Sequence, residues 1–182
     1  METIRDEVRW YPMRVTYNQE LKVKSNLDSL NIDNYVPMHF EIINESNKPR
    51  RKLVPAIHNL IFIHSTQNII TDLKQRNKNF EPLRYMIRRH IDGKSEIMHV
   101  PDIQMDSFMR VASASDENVM FLECKDFMNK IGKEVEITAG IFKGVRGVIK
   151  RIKKNKHVVV QIEGVAAVAI SYVPPCYLKE IV

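Results

Sequence analysis

The chain has 182 residues, of which 44% are hydrophobic and 27% charged, with a formal net charge of +6. That balance fits a globular protein of one mid-sized or two small domains. No run of 18 apolar residues occurs, which excludes a membrane-spanning helix from the reading.

The charged start METIRDEVRW lacks an apolar signal core, so export is not expected and the localisation read from it is cytoplasmic. Residues 8–17 predict a first strand, with Pro12 placing it at an edge or a bulge. Asn18 suits the N-cap of a helix over 19–30, whose Val23, Leu27 and Leu30 recur at helical spacing. Residues 35–43 predict a second strand, and the polar stretch NESNKPRRK after it predicts a loop. Residues 53–64 form the most continuous apolar run of this half, which reads as a buried central strand.

A short helix is expected over 66–76 with Ile69, Ile70 and Leu73 inward, then a strand over 83–88. Pro101 can open a further helix, with Asp102 in the first turn where the dipole favours a carboxylate. Met105, Phe108, Met109 and Ala112 would share its inner face. This mixed order predicts an α+β domain, an antiparallel sheet with helices, over residues 6–113. Residues 114–130 show no clear period and read as a linker.

Residues 131–182 change character. Val135 and Ile137 alternate with Glu134 and Glu136, and Val158, Val160 and Ile162 keep the same step, as do Ala166, Val168 and Ile170. Turn residues separate the runs, Ala139-Gly140, Lys143-Gly144, Arg146-Gly147 and Gly164 among them. Short strands in so small a segment bury one face only by curling, so a small all-β SH3-like barrel is expected over 131–182.

The first turn of this segment, Val135-x-Ile137-Thr138-x-Gly140-x-Phe142-Lys143-Gly144-x-x-Gly147, resembles the KOW motif of NusG-type transcription factors and certain ribosomal proteins. The later pieces Gly164-Val165-x-x-x-Val168-Ala169 and Val173-Pro174-Pro175-x-Tyr177-Leu178 are similar to the end of a bacterial NusG carboxy-terminal domain. The first half resembles the NusG amino-terminal domain at Trp10-Tyr11, Tyr17, Glu20-x-Lys22-Val23, Tyr35-Val36-Pro37 and Leu60-Ile61-Phe62-Ile63. It departs from the usual Pro-Gly-Tyr, which is His58-Asn59-Leu60 here. Val100-Pro101-Asp102-x-x-Met105 looks closest to the UpxY branch, the antiterminators of capsular polysaccharide operons.

The resemblance implies a monomeric, operon-specific factor that binds the clamp coiled coil of RNA polymerase and modulates elongation or antitermination. Carried over by position, Leu60, Phe62 and Tyr85 would contact the polymerase. Phe142, Lys143 and Gly144 would engage a second partner of the KOW domain, a ribosomal protein or a termination factor. Some relatives refold this domain into helices, but the β-branched run Val158-Val159-Val160 argues for a standing barrel.

An RNA-binding or ribosome-associated module is the alternative. Seven Lys/Arg and no acid lie between Lys143 and His157, and Lys150, Arg151, Lys153, Lys154 and Lys156 could track phosphates by charge. They could equally be a solvated turn that discourages edge pairing. An enzyme is not expected: no phosphate-cradling glycine motif, no nucleophile elbow and no HExxH occur. Cys124 and Cys176 form no CxxC pair, and His58 and His64, read as one strand, would stand too far apart to share a metal. Neither a metal nor a cofactor is expected.

Overall fold

Strand β1 (Arg9–Val15) runs through the middle of the first sheet and leads, through a tight turn, into helix α1 (Glu20–Ser29). These belong to a computed structural model that describes residues 7–45, 48–114, 118–122, 132–152 and 155–181. The chain divides into two units, Met1–Asp102 and Ile103–Val182. The first continues with β2 (Asn34–Tyr35), β3 (Met38–Glu45), β4 (Lys48–Pro55), β5 (Leu60–Ser65) and α2 (Gln67–Arg76). It closes with β6 (Leu83–Tyr85), β7 (Ile87–Arg89) and β8 (Ser95–Ile97).

The central sheet has the order β2-β5-β1-β6, and all its pairs are antiparallel. Alternation along β5 sends Ile61 and Ile63 to one face, where they meet Met13, Val23 and Leu27, Ile70 and Phe80. Full burial of each aliphatic side chain there contributes roughly 1.5–3 kcal/mol. Thr66 caps α2 by accepting from the Ile69 N–H, which fixes where that helix starts.

Several expectations are corrected here. Pro12 does not put β1 at an edge, because β1 lies between β5 and β6. The Val15 N–H bonds the Asn59 carbonyl on the β5 side, so by alternation the nitrogen of Pro12 points to the other side. There β6 has already ended at Tyr85, and the next contact is the bridge of Trp10 to Val100, so no ladder bond is lost. Residues 35–43 divide at Pro37 into two strands of different sheets. The polar stretch expected as a loop is largely β4, paired with β3 from Met38↔Pro55 to Glu45↔Lys48. This ribbon needs no buried face because Glu41, Arg50, Arg51 and Lys52 remain in water; Arg51 stacks over the Phe40 ring at 4.2 Å. The run 53–64 breaks at Asn59, where φ is 61°, into the end of β4 and β5 up to His64.

The second unit contains nearly all of α3 (Asp102–Ala112), then β9 (Val119–Leu122), β10 (Glu134–Ile137), β11 (Arg146–Ile152), β12 (Asn155–Ile162), β13 (Ala166–Ile170) and β14 (Leu178–Glu180). They form one antiparallel sheet in the order β14-β10-β11-β12-β13-β9. The strands of 131–182 lie in one antiparallel sheet as expected, but β14 and β9 are the two ends of that order, and no ladder joins them to close a barrel among the described residues. The difference originates in the expected linker, where 119–122 adds a strand to β13 from Ala167↔Leu122 to Ile170↔Val119. Ile152, Val159, Ala167, Ala169 and Leu122 pack together on one face.

Candidate functional site

The register of the first sheet sorts the expected contact residues by face. Leu60 pairs with Arg14, which pairs with Arg84, and Phe62 pairs with Pro12 and Tyr35. Directly opposed residues share a face, so Leu60, Phe62, Pro12, Tyr35, Arg14 and Arg84 lie together. Trp10 and His64 extend the row, their rings stacked at 4.7 Å and 18°. The Tyr35 and Phe62 rings stand 6.4 Å apart. This is an apolar strip with two exposed guanidinium side chains, Arg14 and Arg84, at one end.

Two features differ from the expectation. Leu60 and Phe62 are 4% and 0% exposed, because the strand is covered on both faces rather than one. Tyr85 pairs with Met13, which pairs with Ile61, so it projects to the opposite, α2-facing side. The structure therefore brings Leu60 and Phe62 together and leaves Tyr85 apart from them. The Tyr85 hydroxyl meets the Thr71 hydroxyl at 3.0 Å and donates to the Gln67 carbonyl at 3.2 Å. Lys74 Nζ sits 4.5 Å from its ring centre. Burial pushes the Tyr85 phenol above its ordinary value, the Thr71 bond opposing it, and burial likewise lowers Lys74.

The glycine loop of the second unit is tight. The Gly144 N–H bonds the Ile137 carbonyl at 2.6 Å, and the Lys143 N–H bonds that of Gly140 at 3.1 Å. Gly144 adopts φ of +85°, a conformation open to glycine at little cost. The turn folds Phe142 inward to 8% exposure, so its ring is not the exposed contact expected from the motif. Ile141 beside it is exposed, as is Lys143. The motif reading missed Ile141; an apolar residue next to the larger Phe142 gave no sign of which would face water.

The basic hairpin also divides. Lys150, expected on the surface, is 5% exposed and donates to Gln161 Oε1 at 2.7 Å. It falls on the inner side of a strand whose neighbours Arg151 and Lys156 are exposed and directly paired. Lys153 and Lys154 lie outside the described residues, as does Cys124. His58 lies in the turn before β5 rather than on a strand with His64. Among the described residues no group of three His, Cys, Asp or Glu is placed to hold a metal ion, and no helix is long and apolar enough to cross a membrane.

Among curated proteins, none matches this sequence. The chain is similar to a solved structure titled "Domain interaction in Thermotoga maritima NusG", with 16% identity and a TM-score of 0.42 over 96% of this chain and 98% of that one. Residues 8–109, from β1 into α3 and more than half of the chain, match the NusG family, described as transcription termination factor nusG. The protein belongs to that family of non-enzymatic transcription elongation and antitermination factors.

Proposed function

We propose that this protein docks on RNA polymerase through the face of its first sheet that carries Leu60 and Phe62, and biases the enzyme towards continued elongation. The family match over residues 8–109 carries the reading, since it spans that entire sheet and members of the family typically bind the polymerase. The apolar strip of Phe62, Pro12 and Tyr35 beside Arg14 and Arg84 suits a partner with apolar and acidic groups. Leu60, Phe62 and Pro12 are buried and join the contact only once they become accessible, whereas Arg14 and Arg84 already are. Tyr85 supports its strand from the other side. The effect is differential binding between polymerase states, without chemistry.

The finer reading is an operon-specific, cytoplasmic antiterminator of the UpxY type, for which Val100-Pro101-Asp102-x-x-Met105 is the support. The second unit is read as a KOW domain whose glycine loop, through Ile141 and Lys143, recruits a ribosomal protein or a termination factor.

The test is co-elution of the full chain with core polymerase, beside an Arg14→Glu/Arg84→Glu variant whose circular dichroism is unchanged. The intact protein is expected to co-elute, and the variant to bind at least about tenfold more weakly. Absence of co-elution, with salt-sensitive binding to RNA instead, moves the function to the second reading, an RNA-binding module. The observation favouring that reading is the exposed pair Arg151↔Lys156 on the β11–β12 hairpin.

A further inference from the structure

The β3–β4 ribbon sorts its side chains by face. Directly opposed residues share a face, and the register pairs Phe40 with Leu53 and Ile42 with Arg51. By alternation Met38, Phe40, Ile42, Arg51 and Leu53 lie on one side, and His39, Glu41, Lys52 and Val54 on the other. The second side is turned towards the body of the first unit. There His39, Glu41 and Val54 line a cavity of about 380 Å³ with Glu20 and Leu21 at the start of α1.

The first side begins at Met38, packed on the core of the unit, and runs out into water. Phe40, Ile42 and Leu53 are 49%, 73% and 47% exposed. The ribbon therefore shows solvent its apolar side, the mark of an interaction surface. Two strands alone are marginal, and a further layer over such a face would stabilise them.

The charge on that face decides among occupants. Arg51 is its one ionisable group at these positions, and its guanidinium stacks on the Phe40 ring at 4.2 Å. No carboxylate among the described residues pairs with Arg51. A stacked guanidinium holds its N–H edge in a fixed direction, ready to meet a carboxylate with two bonds. A second copy suits the face poorly: two such faces stacked about a two-fold axis would bury two guanidiniums with no carboxylate between them. A phosphate backbone suits it poorly too, because one cation neutralises little and Lys52 on the other side is opposed by Glu41.

We propose that this face docks a segment of a partner protein that carries apolar side chains beside a carboxylate. The apolar groups cover Phe40, Ile42 and Leu53, and the carboxylate accepts from Arg51. The contact uses no residue of the polymerase-docking face, so the two readings stand or fall separately.

The test pans the full-length chain against a phage-displayed library of random peptides, with counter-selection on a Phe40→Ser/Ile42→Ser variant. Both side chains already meet water, so the variant is expected to keep its circular dichroism spectrum. Enriched peptides are expected to combine aliphatic or aromatic residues with Asp or Glu, and to bind the variant at least about tenfold more weakly. Converting the peptide carboxylate to its amide, or Arg51→Glu in the protein, should each weaken binding by about tenfold as well. The proposal is overturned by enriched peptides without a carboxylate, by equal binding to Arg51→Glu, or by a library that yields no peptide discriminating the wild-type chain from the serine variant. Duplex DNA or phosphatidylglycerol vesicles bound by the wild-type chain and not by the serine variant overturn it in favour of that occupant. A concentration-dependent dimer in sedimentation, lost in the same variant, overturns it in favour of a second copy.

Discussion

Arg110 donates from Nη2 to the carbonyl of Lys143 across 2.7 Å, fastening the last turn of α3 to the loop that carries Phe142 and Gly144. Two other α3 side chains repeat the pattern: Ser107 Oγ accepts from the Arg146 N–H at 3.3 Å, and Gln104 Nε2 donates to the Gln161 carbonyl at 2.7 Å. Spaced three apart, the three residues form one stripe along the helix. The helix that the sequence assigns to the amino-terminal domain thus holds the glycine loop of the carboxy-terminal unit.

Replacing Arg110 by alanine should therefore loosen that loop. Loss of one partly exposed hydrogen bond is expected to cost about 1 kcal/mol. The distinguishing readout is local: amide hydrogen exchange at Lys143, Gly144 and Val145 should accelerate while exchange in β1 and β5 stays the same. Equal protection of the loop in the variant would show that Arg110 is not what holds it.

Gly147 and Gly93 make a second contrast. A Cβ on Gly147 would stand 2.8 Å from the Val159 carbonyl oxygen and 3.0 Å from Val158 Cγ1, inside the β11–β12 pairing. Gly93 has φ of +82° and open space around it. Gly147→Ala is expected to destabilise by about 1–3 kcal/mol through forced separation of the strands. Gly93→Ala should cost about 1 kcal/mol through backbone strain alone. Thermal melts of the two variants, with cross-strand NMR contacts between Val148 and Val159, separate the causes; strand separation in Gly93→Ala would contradict them.

Tyr85 gives a prediction in pH. Its phenol is raised above the ordinary value near 10, first by burial, with the Thr71 bond opposing. The folded chain thus holds the proton more tightly than the unfolded one. The stabilisation linked to it is complete below the unfolded value and is lost as pH rises through the higher folded value. Tyr11 is raised in the same direction, chiefly by burial, and contributes to the same alkaline loss. Tyr85→Phe should be less stable at neutral pH, because the bonds to Thr71 and Gln67 are gone, yet should lose less further stability between neutral and strongly alkaline pH. Denaturant midpoints at several pH values check this. A parallel decline in both proteins would remove Tyr85 from the alkaline transition.

Much of this was legible in the sequence, for reasons that differ by element. The periods of α2 and α3 and the alternation of β10 are local signals, and the turn glycines mark the breaks between strands. Ile69 nevertheless faces water, and β12 and β13 depart from the expected alternation because Val159, Ala167 and Ala169 are buried as fully as Val158, Val160 and Val168. The β3–β4 ribbon was not legible, because a strand that keeps its charged side chains in water lacks the buried face that alternation reports. β9 was missed for a related reason: 119–122 becomes a strand only because β13 offers an unpaired edge. Leu60 and Phe62 were placed on a strand, but a strand buried on both sides has the same sequence pattern as one exposed on one side. The cavity at Glu20 depends on Asn59, 39 residues away, and on two positive-φ turns, none of which spacing reveals.

The hairpin lysines provide the last prediction, because charge and exposure diverge there. Lys150 is buried on Gln161, whereas Arg151 and Lys156 are exposed and side by side. If the hairpin binds RNA, only the exposed pair meets phosphates. Removing both, as Arg151→Gln/Lys156→Gln, should lower the slope of log affinity against log salt by about 0.7 for each phosphate of single-stranded RNA that is no longer neutralised. Lys150→Met retains the buried stem and removes the ammonium, leaving Gln161 without its donor. It should destabilise the second unit by about 1–3 kcal/mol and leave the salt slope unchanged. Filter binding at several salt concentrations, with a melt for each variant, measures both quantities. A fall in slope for Lys150→Met at full folding would mean that Lys150 leaves Gln161 to reach RNA. An unchanged slope for the double variant would instead assign the exposed pair the role of keeping the hairpin solvated.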